Sequence, residues 1–297
     1  MEKSAEQKLQ NLIPTKSQIK KVSIDSYNIN YLEAGAGQPI ILIHGLNIGW
    51  GEWHQNIAEL AKYFKIYALD LPGSGNSTKI DFHNADLEKK FVKIVDKFII
   101  IKKIADAVII GHSIGGWIAL KLATQNKKYL KSVIAVNSLG FSDYMPWRFR
   151  ILAFYPIALL LSKTVMKPSP KNIKNFVASV MNESSSLKKE FIDYFCESIN
   201  KEFITHPFLL INNLFASFAK IKKGFILKDS LNRIKCPVFL IASDKDPLIP
   251  LKKTEPAFNL IPNFKKIIIP NTGHVPLLEQ SEYFNAIVIN FIKKHNA

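Results

Sequence analysis

The order of the apolar segments constrains this chain most: short runs of branched residues recur between longer stretches whose apolar residues fall at helical spacing. Ile40-Ile41-Leu42-Ile43 is a continuous apolar run of the kind found in parallel strands covered on both faces. After it, Ile57, Leu60, Ala61 and Phe64 have helical spacing, and Ile66 to Leu69 reads as strand. Leu87, Phe91, Ile94, Val95 and Phe98 predict a helix, Val108-Ile109-Ile110 a strand, Gly115 to Gln125 a helix and Val133 to Val136 a strand. The strand signal returns at Val238 to Ala242 and at Ile267 to Ile269, and Phe284, Ile287, Val288 and Phe291 form a closing helical face. Ahead of all this, Ile19 to Glu33 alternates around Tyr27, Ile29 and Tyr31, which predicts a hairpin turning near Asp25-Ser26. Strand and helix alternating in this way dictate an α/β fold with a mostly parallel sheet and helices on both faces.

The interval from Leu139 to Arg233 breaks the alternation. It holds aromatic-rich helical patterns, turn signals at Lys167-Pro168-Ser169-Pro170 and His206-Pro207, and no convincing strand. It is expected to be a helical insertion after strand 6, residues 139–233, on a core built from residues 1–138 and 234–297. Ligands of open parallel sheets bind beyond the carboxyl ends of the strands, so an insertion there roofs the site.

Composition narrows the function classes. The chain is 47% hydrophobic and 22% charged, which suits a globular enzyme. Its formal charge of +16 raises nucleic-acid binding, but of the basic residues only Arg148, Arg150 and Arg233 are arginine, and the lysines are scattered as pairs such as Lys20-Lys21 and Lys188-Lys189. Phosphate and base recognition favours the arginine fork, so no nucleic-acid partner is expected; weak association with an anionic membrane surface is the better use of the charge. Met1 to Gln10 is polar and mixed in charge, unlike a secretory leader, and the longest apolar stretch, Ile151 to Leu161, is far short of the roughly 20 residues that cross a bilayer. A cytoplasmic protein is expected, with Cys196 and Cys236 read as small core residues.

The chemistry centres on Gly111-His112-Ser113-Ile114-Gly115, a G-x-S-x-G pattern that follows an apolar strand and precedes a small-residue helical face at Gly116, Ala119, Leu120 and Ala123. In a nucleophile elbow the sharp strand-to-helix turn lifts the serine hydroxyl clear of the backbone. A serine hydroxyl needs a base, and His274, in the loop Thr272-Gly273-His274 after the last strand, occupies the place the chain order Ser, acid, His requires. His112 neighbours Ser113, but consecutive residues at a turn point apart, so it reads as packing. Ser243-Asp244-Lys245-Asp246-Pro247 supplies two carboxylates; Asp246 is favoured as the acid and Asp244 as a turn former. The backbone amides of Leu46 and Ile114 are the expected oxyanion donors, with Gly45 allowing close approach. The chemistry calls for no cofactor, and no His or Cys accompanies the two carboxylates at metal-ligand spacing, so no metal is expected.

Taken together, His44-Gly45, Asp70-Leu71-Pro72-Gly73-Ser74-Gly75-Asn76-Ser77, Gly111 to Gly116, Asp246-Pro247-Leu248-Ile249-Pro250 and Gly273-His274 resemble the α/β-hydrolase family, in its capped single-domain branch. The resemblance runs from about residue 20 to the end. It implies an eight-stranded α/β-hydrolase fold, the triad Ser113, Asp246 and His274, the oxyanion amides of Leu46 and Ile114, and a mobile helical cap; Asp70 belongs to a structural turn in such proteins. Serine at the nucleophile position separates the chain from the aspartate-dependent dehalogenases and epoxide hydrolases. The carbon–carbon bond hydrolases of ring-cleavage products also use serine, but typically carry a tryptophan after the catalytic histidine and an arginine in the cap. Here Val275 follows His274, while Arg148 and Arg150 lie near the start of the insertion.

The function expected from these residues is hydrolysis of a carboxylic ester of an apolar small-molecule or lipid-like substrate through an acyl-enzyme. His44, Trp117, Phe141, Trp147, Leu248 and Val275 are the expected pocket residues. Phe154, Tyr155, Phe208 and other aromatics of the insertion point to an apolar acyl or aromatic substrate. Carbon–carbon hydrolysis and a non-catalytic binding role on the same fold stay open, as do the oligomeric state and the natural substrate.

Overall fold

The structure, a computed structural model, describes residues 3–199, 205–216 and 219–296. An opening helix α1 (Ala5–Gln10) leads into the hairpin β1 (Ser17–Ile24) and β2 (Tyr27–Ala34), with Asp25 at positive φ in the turn. There follow β3 (Pro39–Ile43), α2 (Ile57–Leu60), β4 (Lys65–Leu69), α3 (Leu87–Ile101), β5 (Ala107–His112), α4 (Ile114–Ala123) and β6 (Leu130–Val136). A helical segment comes next: α5 (Trp147–Arg150), α6 (Tyr155–Lys163), α7 (Pro170–Ala178), α8 (Lys189–Ser198) and α9 (Pro207–Asn213). The chain closes with β7 (Val238–Ser243), α10 (Leu251–Thr254), β8 (Phe264–Ile269), α11 (Pro276–Glu279) and α12 (Ser281–Asn296).

The eight strands form one sheet in the order β1-β2-β4-β3-β5-β6-β7-β8. The β1/β2 and β2/β4 pairs are antiparallel and every other pair is parallel. The continuous apolar runs sit where that order puts them: β3 and β5 are central, and Ile40 to Ile43 and Ala107 to His112 are fully or almost fully buried. Side chains of alternate residues point to opposite faces, so Ile41, Ile43 and Ile109 feed one core layer while Ile40, Leu42, Val108 and Ile110 feed the other. All parallel strands deliver their carboxyl ends to one edge, where the His44, Ser113, Asn137, Asp246 and His274 loops emerge.

Three expectations about elements need correction. The helix predicted from Ile57 to Phe64 stops at Leu60, because the last turn unwinds to deliver Lys65 into β4 beside Pro39. The polar opening residues, for which no element was expected, form α1, closed by a capping box in which the Ser4 side chain accepts from the Gln7 amide and the Gln7 side chain from the Ser4 amide. Cys196 and Cys236 are free and only partly buried, so neither is a true core residue.

Candidate active site

The strand-to-helix turn after β5 places Ser113 at φ +54°, ψ −114°, a region that non-glycine residues occupy only under constraint. Two contacts hold it there: the Ser113 amide donates to the Val136 carbonyl at 2.9 Å, and the Ser113 carbonyl accepts from Trp117 at 3.1 Å. The flanking glycines are dictated by backbone crowding. A Cβ on Gly111 would lie 2.1 Å from the Gly115 carbonyl oxygen, and one on Gly115 would lie 2.3 Å from that of Ile43. Ile114 opens α4, so its amide is one of the first-turn donors without an intrahelical partner.

Asp246 and His274 meet although 28 residues separate them. Asp246 Oδ2 lies 2.8 Å from His274 Nδ1, while its Oδ1 accepts from the Leu248 and Ile249 amides at 2.8 and 2.9 Å. Burial pushes the Asp246 carboxyl up, but the His274 charge and hydrogen bond and the two amides outweigh it and hold the group below its ordinary 3.8. Asp244 is exposed, with Oδ1 accepting from the Thr272 amide, as a turn former should be.

The His274 loop is tied from three sides. Its amide donates to the Val180 carbonyl of the helical segment at 2.7 Å. Its carbonyl accepts from His112 Nε2 at 2.8 Å and from Asn137 Nδ2 at 3.0 Å. Glu279 accepts from the Gly273 amide and, on the same carboxylate, from the amides of Asn182 and Glu183. Asn137, at positive φ after β6, also accepts from the Ser243 amide through Oδ1 and donates to Ser243 Oγ, stitching the ends of β6 and β7 to the His274 loop.

Sequence reasoning missed Glu52 and misread His112. Glu52 sits in a tight turn at Trp50–Trp53 and is fully buried; its Oε1 is 2.9 Å from His112 Nδ1 and its Oε2 accepts from the Gly45 amide at 2.7 Å. His112 therefore is no packing residue. Its two ring nitrogens bridge Glu52 to the His274 carbonyl, which links the Gly45-Leu46 turn to the His274 loop. Burial pushes the His112 imidazole down, but the Glu52 charge and hydrogen bond, the His274 carbonyl and the Asp246 charge raise it above its ordinary 6.5. Burial pushes Glu52 up, and His112 with His44 and the Gly45 amide brings it below its ordinary 4.5. Both shifts favour the charged forms, a carboxylate beside an imidazolium. No periodic signal marks Glu52 in the sequence.

Ser113, His274, Leu46 and Ile114 line one cavity with about 830 Å³ of atom-free space, its mouth included. The helical segment supplies its far wall through Met145, Phe149, Phe176 and Leu210, so the insertion does lie over the site. Apart from Glu52, His112, Ser113 and His274, every lining side chain among the described residues is apolar. Of the expected pocket residues, Leu248 and Val275 line the cavity and the other four do not. His44 is buried beneath it, accepting from the Leu71 amide at Nε2 and donating to the Gly45 carbonyl from Nδ1; burial pushes its imidazole down to about 4, so it is neutral. Trp117 packs on Phe225 at 4.9 Å between centroids, and Phe141 packs edge-on against Phe258 at 4.8 Å.

Trp147 is 84% exposed. Phe149 takes the inward position of α5, and two residues on a helix project about 200° apart, so Trp147 must face away. Arg148, Arg150 and Phe154 are exposed as well, and none of them lines the cavity.

Residues 38–281 match the model of a family described as having the alpha/beta hydrolase fold. The chain is 25% identical over 261 residues to the pimeloyl-(acyl-carrier protein) methyl ester esterase of Vibrio campbellii, covering 87% of this chain and 96% of that one. In structure it is similar to a carboxylesterase from Bacillus subtilis, with a TM-score of 0.78, 18% identity and coverage of 97% of this chain and 95% of the other. It is also similar to a meta-cleavage product hydrolase from Pseudomonas fluorescens IP01, with a TM-score of 0.76, 20% identity and coverage of 93% and 97%. With more than three quarters of its length under the family model, and with the sheet order and strand-to-helix elbow described above, the chain belongs to the alpha/beta hydrolase fold family.

Proposed function

We propose that this alpha/beta hydrolase is a serine-dependent esterase acting on a neutral ester with an apolar acyl or alkyl chain. The observation that carries the reading is the cavity: Ser113 and His274 open into a space whose other walls, the paired Glu52 and His112 apart, are apolar, and which no lysine or arginine among the described residues lines. His274 Nε2 takes the Ser113 Oγ proton as the oxygen attacks the ester carbonyl. The carbonyl oxygen becomes an oxyanion held by the Leu46 and Ile114 amides. Collapse breaks the ester C–O bond, and the alcohol leaves with the proton from His274. Water, deprotonated by the same imidazole, then attacks the acyl-serine and releases the acid. Asp246 fixes the tautomer with the proton on Nδ1 and steadies the imidazolium that forms. Residues 139–233 act as the cap of this site. The methyl ester of the Vibrio relative's name falls in the same chemical class.

Carbon–carbon hydrolysis of a ring-cleavage acid is the less favoured reading, because no lysine or arginine among the described residues lines the cavity to pair with an anionic substrate, and neither Arg148 nor Arg150 lines it. A cytoplasmic setting accords with two free cysteines. The test is turnover of p-nitrophenyl esters of increasing acyl length, with a vinylogous ring-cleavage acid alongside. Ester turnover is expected, and Ser113→Ala should lower it by about 10⁴–10⁶-fold and abolish labelling by a fluorophosphonate. Cleavage of the vinylogous acid alone would transfer the assignment to carbon–carbon hydrolysis, and Ser113→Ala turnover near wild type would end the serine mechanism.

A further inference from the structure

The four most exposed large apolar side chains among the described residues all fall within one 19-residue stretch of the helical segment: Trp147 (84%), Val165 (69%), Phe154 (62%) and Leu160 (60%). Their spacing makes surfaces of them. Trp147, Ile151 and Phe154 stand at i, i+4 and i+7 along α5 and the turn that continues it, and Pro156, Leu160 and Lys163 repeat the spacing on α6. Single exposed apolar residues need no explanation, but a stripe of three that Leu160 extends onto the next helix does.

Charge says what covers them. From Tyr144 to Asn182 the chain holds Arg148, Arg150, Lys163, Lys167, Lys171 and Lys174 and not one Asp or Glu. Exposed tryptophan and aliphatic side chains flanked by cations are the composition of a surface that enters the headgroup layer of an anionic bilayer. We infer that the face carrying Trp147, Ile151, Phe154 and Leu160 docks on an anionic lipid surface, with Arg148 and Arg150 at headgroup level. Phe149, between the two arginines, lines the cavity on the opposite side of α5, so one turn of helix separates the lipid-facing side chains from the cavity. No helix among the described residues is long and apolar enough to cross a membrane, so the contact is peripheral. The inference does not depend on the proposed ester chemistry.

The intact protein tests it, because Trp50, Trp53 and Trp117 are fully buried and Trp147 alone of the four tryptophans is exposed. Sedimentation with phosphatidylcholine vesicles and with vesicles containing phosphatidylglycerol should show binding to the anionic vesicles, weakened by salt. Tryptophan emission should shift to the blue and be quenched by brominated lipid. Phe154→Ser combined with Leu160→Ser, neither of which lines the cavity, should weaken binding at least about tenfold. Arg148→Glu with Arg150→Glu should do the same on anionic vesicles alone, and both variants should hydrolyse a soluble short ester like the wild type. Absence of binding at low salt, binding without quenching, or unchanged affinity in both variants would overturn the inference. Concentration-dependent dimerisation that the Phe154/Leu160 variant abolishes, or binding to an acidic protein but not to vesicles, would also overturn it.

Discussion

Glu52→Gln and Glu52→Ala should behave very differently, and the difference can be worked from three distances. Glu52 accepts from the Gly45 amide at 2.7 Å and holds His112 Nδ1 at 2.9 Å, while His112 Nε2 donates to the His274 carbonyl at 2.8 Å. Alanine leaves His112 Nδ1 and the Gly45 amide buried without partners; breaking a buried ion pair in this way costs about 3–5 kcal/mol. Glutamine can satisfy the same network without charge. Its carbonyl oxygen accepts from Gly45, and its amide donates to Nδ1 of a neutral His112 whose Nε2–H still reaches His274. The cost should then be within about 1.5 kcal/mol of zero, because the lost Coulomb attraction is offset by the lost desolvation penalty. The pH dependence separates them further. The raised His112 value contributes stability that is complete below 6.5 and is lost as pH rises through the folded value. The lowered Glu52 value contributes stability that is complete above 4.5 and is lost as pH falls through the folded value. Stability of wild type relative to Glu52→Gln should therefore be greatest between pH 4.5 and 6.5 and shrink on either side. Urea unfolding of the three proteins between about pH 4 and 9 measures this. Equal losses for Gln and Ala, or a wild-type advantage over Gln that is flat across that range, would refute the buried ion pair.

Asp246→Asn should lower kcat by about 10³–10⁴-fold in the ester assay while leaving KM within a few fold, because the amide turns the His274 ring to the wrong tautomer. Gly115→Ala should destabilise by about 1–3 kcal/mol in thermal melts, since the new Cβ meets the backbone carbonyl of Ile43 at 2.3 Å and β3 cannot yield. Asn137→Ala should cost about 1–3 kcal/mol for each buried partner it strands, the Ser243 amide first; denaturant midpoints with an unchanged slope would register it.

The sheet and the elbow were legible because their signals are local. The apolar runs at Ile40 to Ile43 and Val108 to Ile110, and the glycines around Ser113, report backbone requirements that neighbouring residues alone impose. Pocket walls are different. Whether an aromatic residue on a helix faces a cavity or solvent depends on the rotation of that helix against the core, and nothing within the segment fixes the rotation. Trp147 and Phe149 are two residues apart and face opposite ways; Trp117 and Phe141 were drawn into other contacts by Phe225 and Phe258, residues far along the chain. Glu52 left no trace because its partners, Gly45 and His112, come from separate strand ends. The opening helix, by contrast, did carry a signal: Ser4 and Gln7 stand at capping-box spacing.

The cavity's polarity gives the Glu52–His112 pair a purpose beyond anchoring. Glu52 lines a space whose walls are mostly apolar, so its charge would act there through a low effective dielectric. A bare carboxylate beside the Gly45-Leu46 turn would oppose negative charge growing on an ester oxygen held by the Leu46 amide. Paired with His112, the same carboxylate instead fixes the turn through the Gly45 amide and leaves no net charge behind it. His112 in turn grips the carbonyl of His274, whose ring is held by Asp246 and whose amide is held by Val180 of the helical segment. One hydrogen-bonded path therefore runs from the Gly45-Leu46 turn through Glu52 and His112 to the His274 loop and on to Val180 of the helical segment. Tightening either end constrains the other, so in the proposed mechanism the donor turn and the base would be set together.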